Sequence, residues 1–424
     1  MAAVISAACG IDFGTSNSTV GVARSGRGQL LALEDDKLTL PSVVFFHAED
    51  AHVSYGRHGL ADYLAGHEGR LMRSLKSLLG TAMMDDFTEV AGRAVPFRDL
   101  LATFIGEIKR RAEQSAGQRF TRAVLGRPVF FVDDDLEADQ RAEDTLRSIA
   151  AQVGLTDVAF QYEPIAAAFD YESTLSREEL VLVVDIGGGT SDFTLIRLSP
   201  ERARAADRKA DRKADILASS GVHIGGTDFD RALNLASVMP TLGLGSLLKS
   251  GLQMPSSHYF NLATWHTINL AYTRKSAAQI TDLQRDAVDK AKLARLQTLV
   301  DERSGHWLAM QVEAAKIALS DAPEADMDLG RIAPGEHLQL LRPDFDGAID
   351  ALVGRVEATV GALLQDAGVQ ADAVDTVFFT GGSSGVPLLR ERIAAVLGQA
   401  RSVEGDRFGS IGAGLALDAQ RRFA

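Results

Sequence analysis

Two stretches of this chain, 173 positions apart, spell one pattern twice: Gly10-Ile-Asp12-Phe-Gly14-Thr15-Ser16-Asn17-Ser18-Thr19 and Val184-Asp185-Ile-Gly187-Gly188-Gly189-Thr190-Ser191-Asp192-Phe-Thr194. Each follows an apolar run of β type and sets one Asp before glycines and hydroxyl residues. Each then leads into a second alternating run, residues 19–23 and 193–198. That order reads as a hairpin whose turn aims backbone N–H groups, hydroxyls and one carboxylate at a single point. A lone glycine-rich turn is usually only a turn. Two copies, with Gly225-Gly226-Thr227-Asp228-Phe229-Asp230 after a further strand, predict a duplicated fold that grips the phosphates of a nucleotide from both sides.

A chain of 424 residues is too long for one core, so two or more domains are expected. Its net charge of −13 argues against nucleic acid as a main partner. A single cysteine, Cys9, rules out a disulfide framework or a cysteine zinc site, and points to the cytoplasm. Residues 1–9 lack a basic leader region and read as a first strand. No apolar stretch approaches the roughly 20 residues that span a bilayer, so no membrane partner is expected.

Strands and helices alternate along the chain, which argues for an α/β architecture. Leu101, Phe104, Ile105, Ile108 and Ala112 make one helical face, and Ala142, Leu146, Ile149, Ala150 and Val153 make another. The expected division is a first lobe, 1–178, with an inserted subdomain at about 39–118, and a second, 179–424, with an insertion at about 231–325. Residues 201–215 repeat Ala-Asp-Arg-Lys and read as a solvated loop. Residues 240–310 form a long inserted segment holding both tryptophans, Trp265 and Trp307.

Rival motifs fail on their own terms. Gly381-Gly382-Ser383-Ser384-Gly385 fits the spacing of a hydrolase nucleophile elbow, but that mechanism needs a later histidine and His337 is the last. No GxxxxGK[ST] occurs, and Asp192 stands where GxGxxG would need its last glycine. The nine histidines are scattered, with His47, His52 and His58 nearest to a cluster, and read as structural.

Taken in order, GIDFGTSNSTV, YEPIAAAFDY, VVDIGGGTSDFTL, GGTDFD, FFTGGSSGVP and SIGAGLALDA resemble the ATPase domain of the heat-shock-70 chaperones, within the actin and sugar-kinase superfamily. The likeness runs from about residue 8 to 418, and looks most like the short YegD-type bacterial members. It implies an actin-like ATPase fold of two duplicated lobes with a nucleotide cleft between them, ATP or ADP as ligand, and Mg²⁺. By this resemblance Asp12 and Asp185 hold the magnesium, mostly through water. Gly14, Thr15, Ser16 and Asn17 line the phosphates, opposite Gly187, Gly188, Gly189 and Thr190 and opposite Gly225, Gly226 and Thr227. Lys76 reaches the γ-phosphate and the attacking water, which Glu163 and Asp192 orient or deprotonate beside Thr190. Glu313, Lys316 and Ser320 match an adenosine-binding helix, Gly381, Gly382 and Ser383 a second adenosine segment, and Asp406 a third contact. Pro128, Glu163 and Arg141 match an interdomain relay. The chemistry is coherent in itself, since phosphoryl transfer rests on neutralising charge and holding a nucleophile in line.

Three departures qualify the resemblance. Ile317 and Gly385 stand where the family sandwiches adenine between two arginines, a loss of roughly 1–4 kcal/mol in cation–π contact that relaxes base preference. Tyr162 replaces the usual asparagine before Glu163. The chain stops at Ala424 with no C-terminal substrate-binding domain, so a client-holding cycle is not expected within it. The expectation is a slow ATP-hydrolysing switch with an unknown protein partner, contacted as by a co-chaperone or exchange factor through residues 240–310. Alternatives are a non-catalytic nucleotide sensor or scaffold, an actin-like filament protein, and a small-molecule kinase.

Overall fold

The repeated pattern builds two sheets of one topology. With the strands of these sheets numbered in chain order, the first holds β1 (Ala8–Phe13), β2 (Asn17–Arg24), β3 (Arg27–Leu30), β4 (Thr39–Pro41), β5 (Arg122–Arg127) and β6 (Asp157–Tyr162). Their order is β6-β5-β1-β2-β3, with β4 beside β2. The second holds β7 (Glu179–Ile186), β8 (Ser191–Leu198), β9 (Ile216–Val222), β10 (Thr376–Thr380) and β11 (Arg401–Glu404), ordered β9-β8-β7-β10-β11. β1 runs antiparallel to β2 and parallel to β5, just as β7 runs antiparallel to β8 and parallel to β10. Both copies of the pattern are therefore hairpins. Asp12 pairs with Thr19 across the first, and Asp185 with Asp192 across the second.

The computed structural model describes residues 8–49, 52–90, 92–132, 135–205 and 212–423. Packing sorts the chain into one unit of Met1–Val222, Thr359–Ser384 and Ala394–Ala424, and another of His223–Ala358 and Gly385–Ile393. Both sheets belong to the first unit. Helices Phe97–Ala116 and Leu136–Gln152 bury Leu101, Phe104, Ile105, Ile108, Leu146 and Ile149 in one cluster with Ile11, Phe13, Val20 and Val22 of the first sheet. Each such side chain contributes roughly 1.5–3 kcal/mol on burial. β7 is buried from Val181 to Val184, as expected where both faces of a strand are covered. β5 stops at Arg127 because Pro128 has no N–H to give a ladder.

In the second unit, helix Gly305–Asp321 buries Leu308, Val312 and Leu319, and a hairpin pairs Glu324–Asp328 with His337–Leu341. Its inserted segment buries Tyr259, Leu262, Ile268, Leu293 and Leu296. Trp265 sits edge-on to His306, with ring centres 4.7 Å apart.

The segment 201–215 is not a solvated loop throughout. Of residues 201–215, positions 206–211 lie outside the described residues, but Arg212 and Asp215 are buried. Arg212 donates to both oxygens of buried Glu172 at 2.5 and 2.7 Å and to Asp215 at 2.7 Å. A charge this deep is tolerated only when paired, and composition alone does not reveal the pairing.

Candidate functional site

The two aspartates that open the hairpin turns lie within reach of each other's field. Asp12 is 8% exposed, and Asp185 is half-buried. Gly381, just after β10, has φ +83°, and a Cβ there would collide with Asp185 Oδ1 and the Ile186 carbonyl. Only glycine lets the chain pass so close to that carboxylate. A Cβ at Gly188 would likewise strike Ser16 Oγ, so the two turns themselves approach one another.

Between them reaches Lys76, from a short 3₁₀ turn, Leu75–Leu78. Its Nζ lies 2.6 Å from Oε1 of Glu163, the first residue of helix Glu163–Glu172. The side chains are 10% and 13% exposed. Burial pushes the Asp12 carboxyl up to about 7, with Glu163 adding to the rise and Lys76 opposing it. Burial, then Asp192, Glu163 and Asp12, push Asp185 up to about 8. Burial pulls the Lys76 ammonium down, but Glu163, Asp12 and Asp185 outweigh it and hold it above its ordinary value. The centre carries more negative than positive charge, and added positive charge is the remedy.

Hydrogen bonds fix each turn. Ser42 Oγ donates to the Gly14 carbonyl at 2.6 Å and lies 3.0 Å from Ser18 Oγ, while Ser42 N–H donates to the Ser16 carbonyl at 2.8 Å. In the second turn, Gly187 N–H donates to the Thr190 carbonyl at 2.9 Å, and Thr190 Oγ1 donates to Asp192 Oδ2 at 2.9 Å. Thr15, Asn17 and Gly189 are half-buried, and Thr190 and Asp192 are exposed. Glu163, Asp185 and Asp192 share a cavity wall with Pro128, Thr194 and Ser219.

The remaining predicted residues lie as follows. In the first unit, Gly382 faces the Phe408 ring and Ser383 is buried. Asp406 accepts from Phe408 N–H at 3.1 Å at the start of the last helix, Ser410–Phe423. In the second unit, Gly225 N–H donates to Asp228 at 2.9 Å, and Gly226 and Thr227 begin helix Gly226–Leu233. Lys316 is buried, donating to the Gly226 carbonyl at 3.3 Å and pairing with Asp230 at 2.9 Å. Ser320 Oγ donates to the Lys316 carbonyl at 3.2 Å, and Glu313 and Ile317, one helical turn apart, are both exposed. Arg141 is 62% exposed and pairs with Glu137 at 3.9 Å. Two residues that the sequence did not flag stand out, Ser42 and the buried Arg127. A charged residue closing an apolar strand before Pro128 was the available signal for the second.

Duplicated meander-plus-parallel sheets, each carrying an acid–glycine–hydroxyl hairpin, define a protein of the actin-like ATPase fold. A family model described as Hsp70 protein matches residues 8–237 and 279–420, and the chain belongs to that family. It is similar to the chaperone protein HscA of Yersinia enterocolitica, 27% identical over 437 residues that cover 97% of this chain and 58% of that protein. The HscA proteins of Citrobacter koseri and Serratia proteamaculans are 27% and 26% identical over 433 residues, with the same coverage. The chain thus spans under three fifths of the length of these relatives. No helix among the described residues is long and apolar enough to cross a membrane.

Proposed function

We propose that this chain binds ATP and ADP with Mg²⁺ and hydrolyses ATP slowly, as a nucleotide-dependent switch for a protein partner. The observation that carries this reading is the buried Lys76–Glu163 pair at 2.6 Å, set beside two carboxyls that burial and mutual repulsion push up to about 7 and about 8. Such a centre is complementary to a phosphate chain that arrives with a divalent cation.

Asp12 and Asp185 offer the hard oxygen donors that Mg²⁺ takes, and they are the residues that would hold it. Among the described residues no three His, Cys, Asp or Glu side chains gather into a chelating set, which favours a contact made mostly through water. When bound, the ion neutralises charge on the β- and γ-phosphates. In this scheme Lys76 meets the γ-phosphate, and N–H groups of Gly14–Asn17 and Gly187–Gly189 cradle it. Glu163 and Asp192, the latter steered by Thr190, hold the attacking water in line and accept its proton. Positioning and charge stabilisation of this kind supply most of the acceleration in phosphoryl transfer.

The nucleotide roles of Gly225, Gly226, Thr227, Glu313, Lys316, Ser320, Gly381, Gly382, Ser383 and Asp406 belong to the same proposal. So do the lobes 1–178 and 179–424, a cytoplasmic setting, and an exchange-factor-like contact through 240–310, much of which falls outside the matched segments. A second reading, a nucleotide sensor without turnover, is favoured by Ile317, which is 54% exposed where the family uses an arginine. Calorimetric titration with Mg·ATP, run beside phosphate release, separates the two. The ATPase reading expects binding, and phosphate release that Glu163→Gln slows by roughly 10²-fold or more. Binding without release selects the sensor, and absence of binding rejects both.

A further inference from the structure

β5 and β6 run side by side to the edge of the site, with Gly126 opposite Gln161 and Arg127 opposite Tyr162, the residue before Glu163. Arg127 is 7% exposed. Its guanidinium donates to Glu143 at 2.5 Å and Asp139 at 2.7 Å on helix Leu136–Gln152. It also donates to the carbonyls of Pro128 and Val129, at 3.1 and 3.3 Å. The same group stacks 5.1 Å from the ring centre of Tyr162 and 5.2 Å from that of Phe131. One flat, forked cation therefore ties a helix, the turn after β5 and the residue before Glu163, a combination no lysine reproduces. On the neighbouring residue, the Gln161 side chain accepts from Tyr162 N–H at 2.9 Å and donates to buried Asp418 at 3.1 Å.

Gly126 supplies the floor. A Cβ there would stand 3.1 Å from Leu415 Cδ1, 3.2 Å from Glu163 Cγ and 3.3 Å from its Oε1, so the Leu415 tip and the carboxylate would each have to give by a few tenths of an ångström. The oxygen it would press is the one that meets Lys76.

We infer that Arg127 and Gly126 are positioning residues for Glu163, fixing where its carboxylate meets Lys76 and the attacking water. This rests on the ATPase reading above. Neither residue takes part in the chemistry; both act through the strand end that carries Glu163.

The test is single-turnover hydrolysis of Mg·ATP, beside its dissociation constant, for the parent, Gly126→Ala, Arg127→Lys and Arg127→Met. Because a misplacement of about 1 Å can cost about 10²-fold, Gly126→Ala and Arg127→Met should slow turnover roughly 10-fold or more while ATP affinity stays within about twofold. Arg127→Lys should restore only part of the rate. Arg127→Met strands two acidic partners and can fail to fold; Gly126→Ala leaves them paired and keeps the inference testable. In a Glu163→Gln background neither change should slow turnover further, whereas a merely structural role would add its own cost. Parental turnover in Gly126→Ala and Arg127→Lys overturns the positioning role alone. A parent that binds Mg·ATP without turnover overturns the ATPase reading, and this role with it.

Discussion

Across the first hairpin Asp12 faces Thr19, and across the second Asp185 faces Asp192. Sheet order, strand direction and turn position are otherwise shared. Burial, then Glu163, pushes Asp12 up to about 7; burial, then the second acid opposite it, Asp192, pushes Asp185 up to about 8. The supports differ too. Ser42 buttresses the first turn from behind, whereas the second is closed by its own Thr190 and presents an exposed carboxylate. Duplication explains the frame, and one register position, Thr19 against Asp192, sets the two copies apart. In this account the first turn holds, and the second both holds and accepts a proton.

The strongest way to break the comparison is to remove what both turns lean on. Lys76→Ala should cut single-turnover hydrolysis by roughly 10²–10³-fold, as for other charged or polar groups that stabilise a transition state. It should also leave Asp12 and Asp185 repelling each other unrelieved. If hydrolysis survives at the parental rate, Lys76 is not part of the machinery.

Next in size is the cost of holding the two acids together. Each folded carboxyl keeps a proton up to about pH 7 or 8 that the unfolded chain releases near pH 4. Stability without Mg²⁺ should therefore be greatest at the acid end of that window and decline as pH rises through 5 to 8, by on the order of 2–4 kcal/mol for each carboxyl. Saturating Mg²⁺ should flatten the decline. Thermal melts across pH should show Asp185→Asn removing more of the slope than Asp12→Asn; equal slopes would dissolve the distinction between the turns.

Ser42→Ala should be the smallest effect. It loses a bond to the Gly14 carbonyl at 2.6 Å, a net change of about 1 kcal/mol, or roughly fivefold in ATP affinity, with turnover of bound ATP little altered. A larger fall in turnover than in affinity would mean that the first turn does more than hold.

These supports mark the limit of what the sequence discloses. The hairpins were legible because acid, glycine and hydroxyl residues fall between alternating runs, a pattern local enough to read. Lys76 and Glu163, 87 positions apart, came through resemblance rather than spacing. Ser42, Arg127 and the Arg212–Glu172 pair were not legible, because each acquires its role from a tertiary approach that composition does not encode. Arg212 lies in a run that looks like a solvated loop, and is buried. Ile317 could be read as a departure from the resemblance, and it lies exposed on the face of Glu313.

The most direct measurement is single-turnover hydrolysis of Mg·ATP by the parent chain and by Asp192→Asn, the near-isosteric substitution that removes the proton acceptor proposed for the second turn. The account predicts turnover in the parent and a loss of roughly 10²-fold or more in the variant, with ATP still bound. Equal turnover in the two would contradict the division of work between the hairpins.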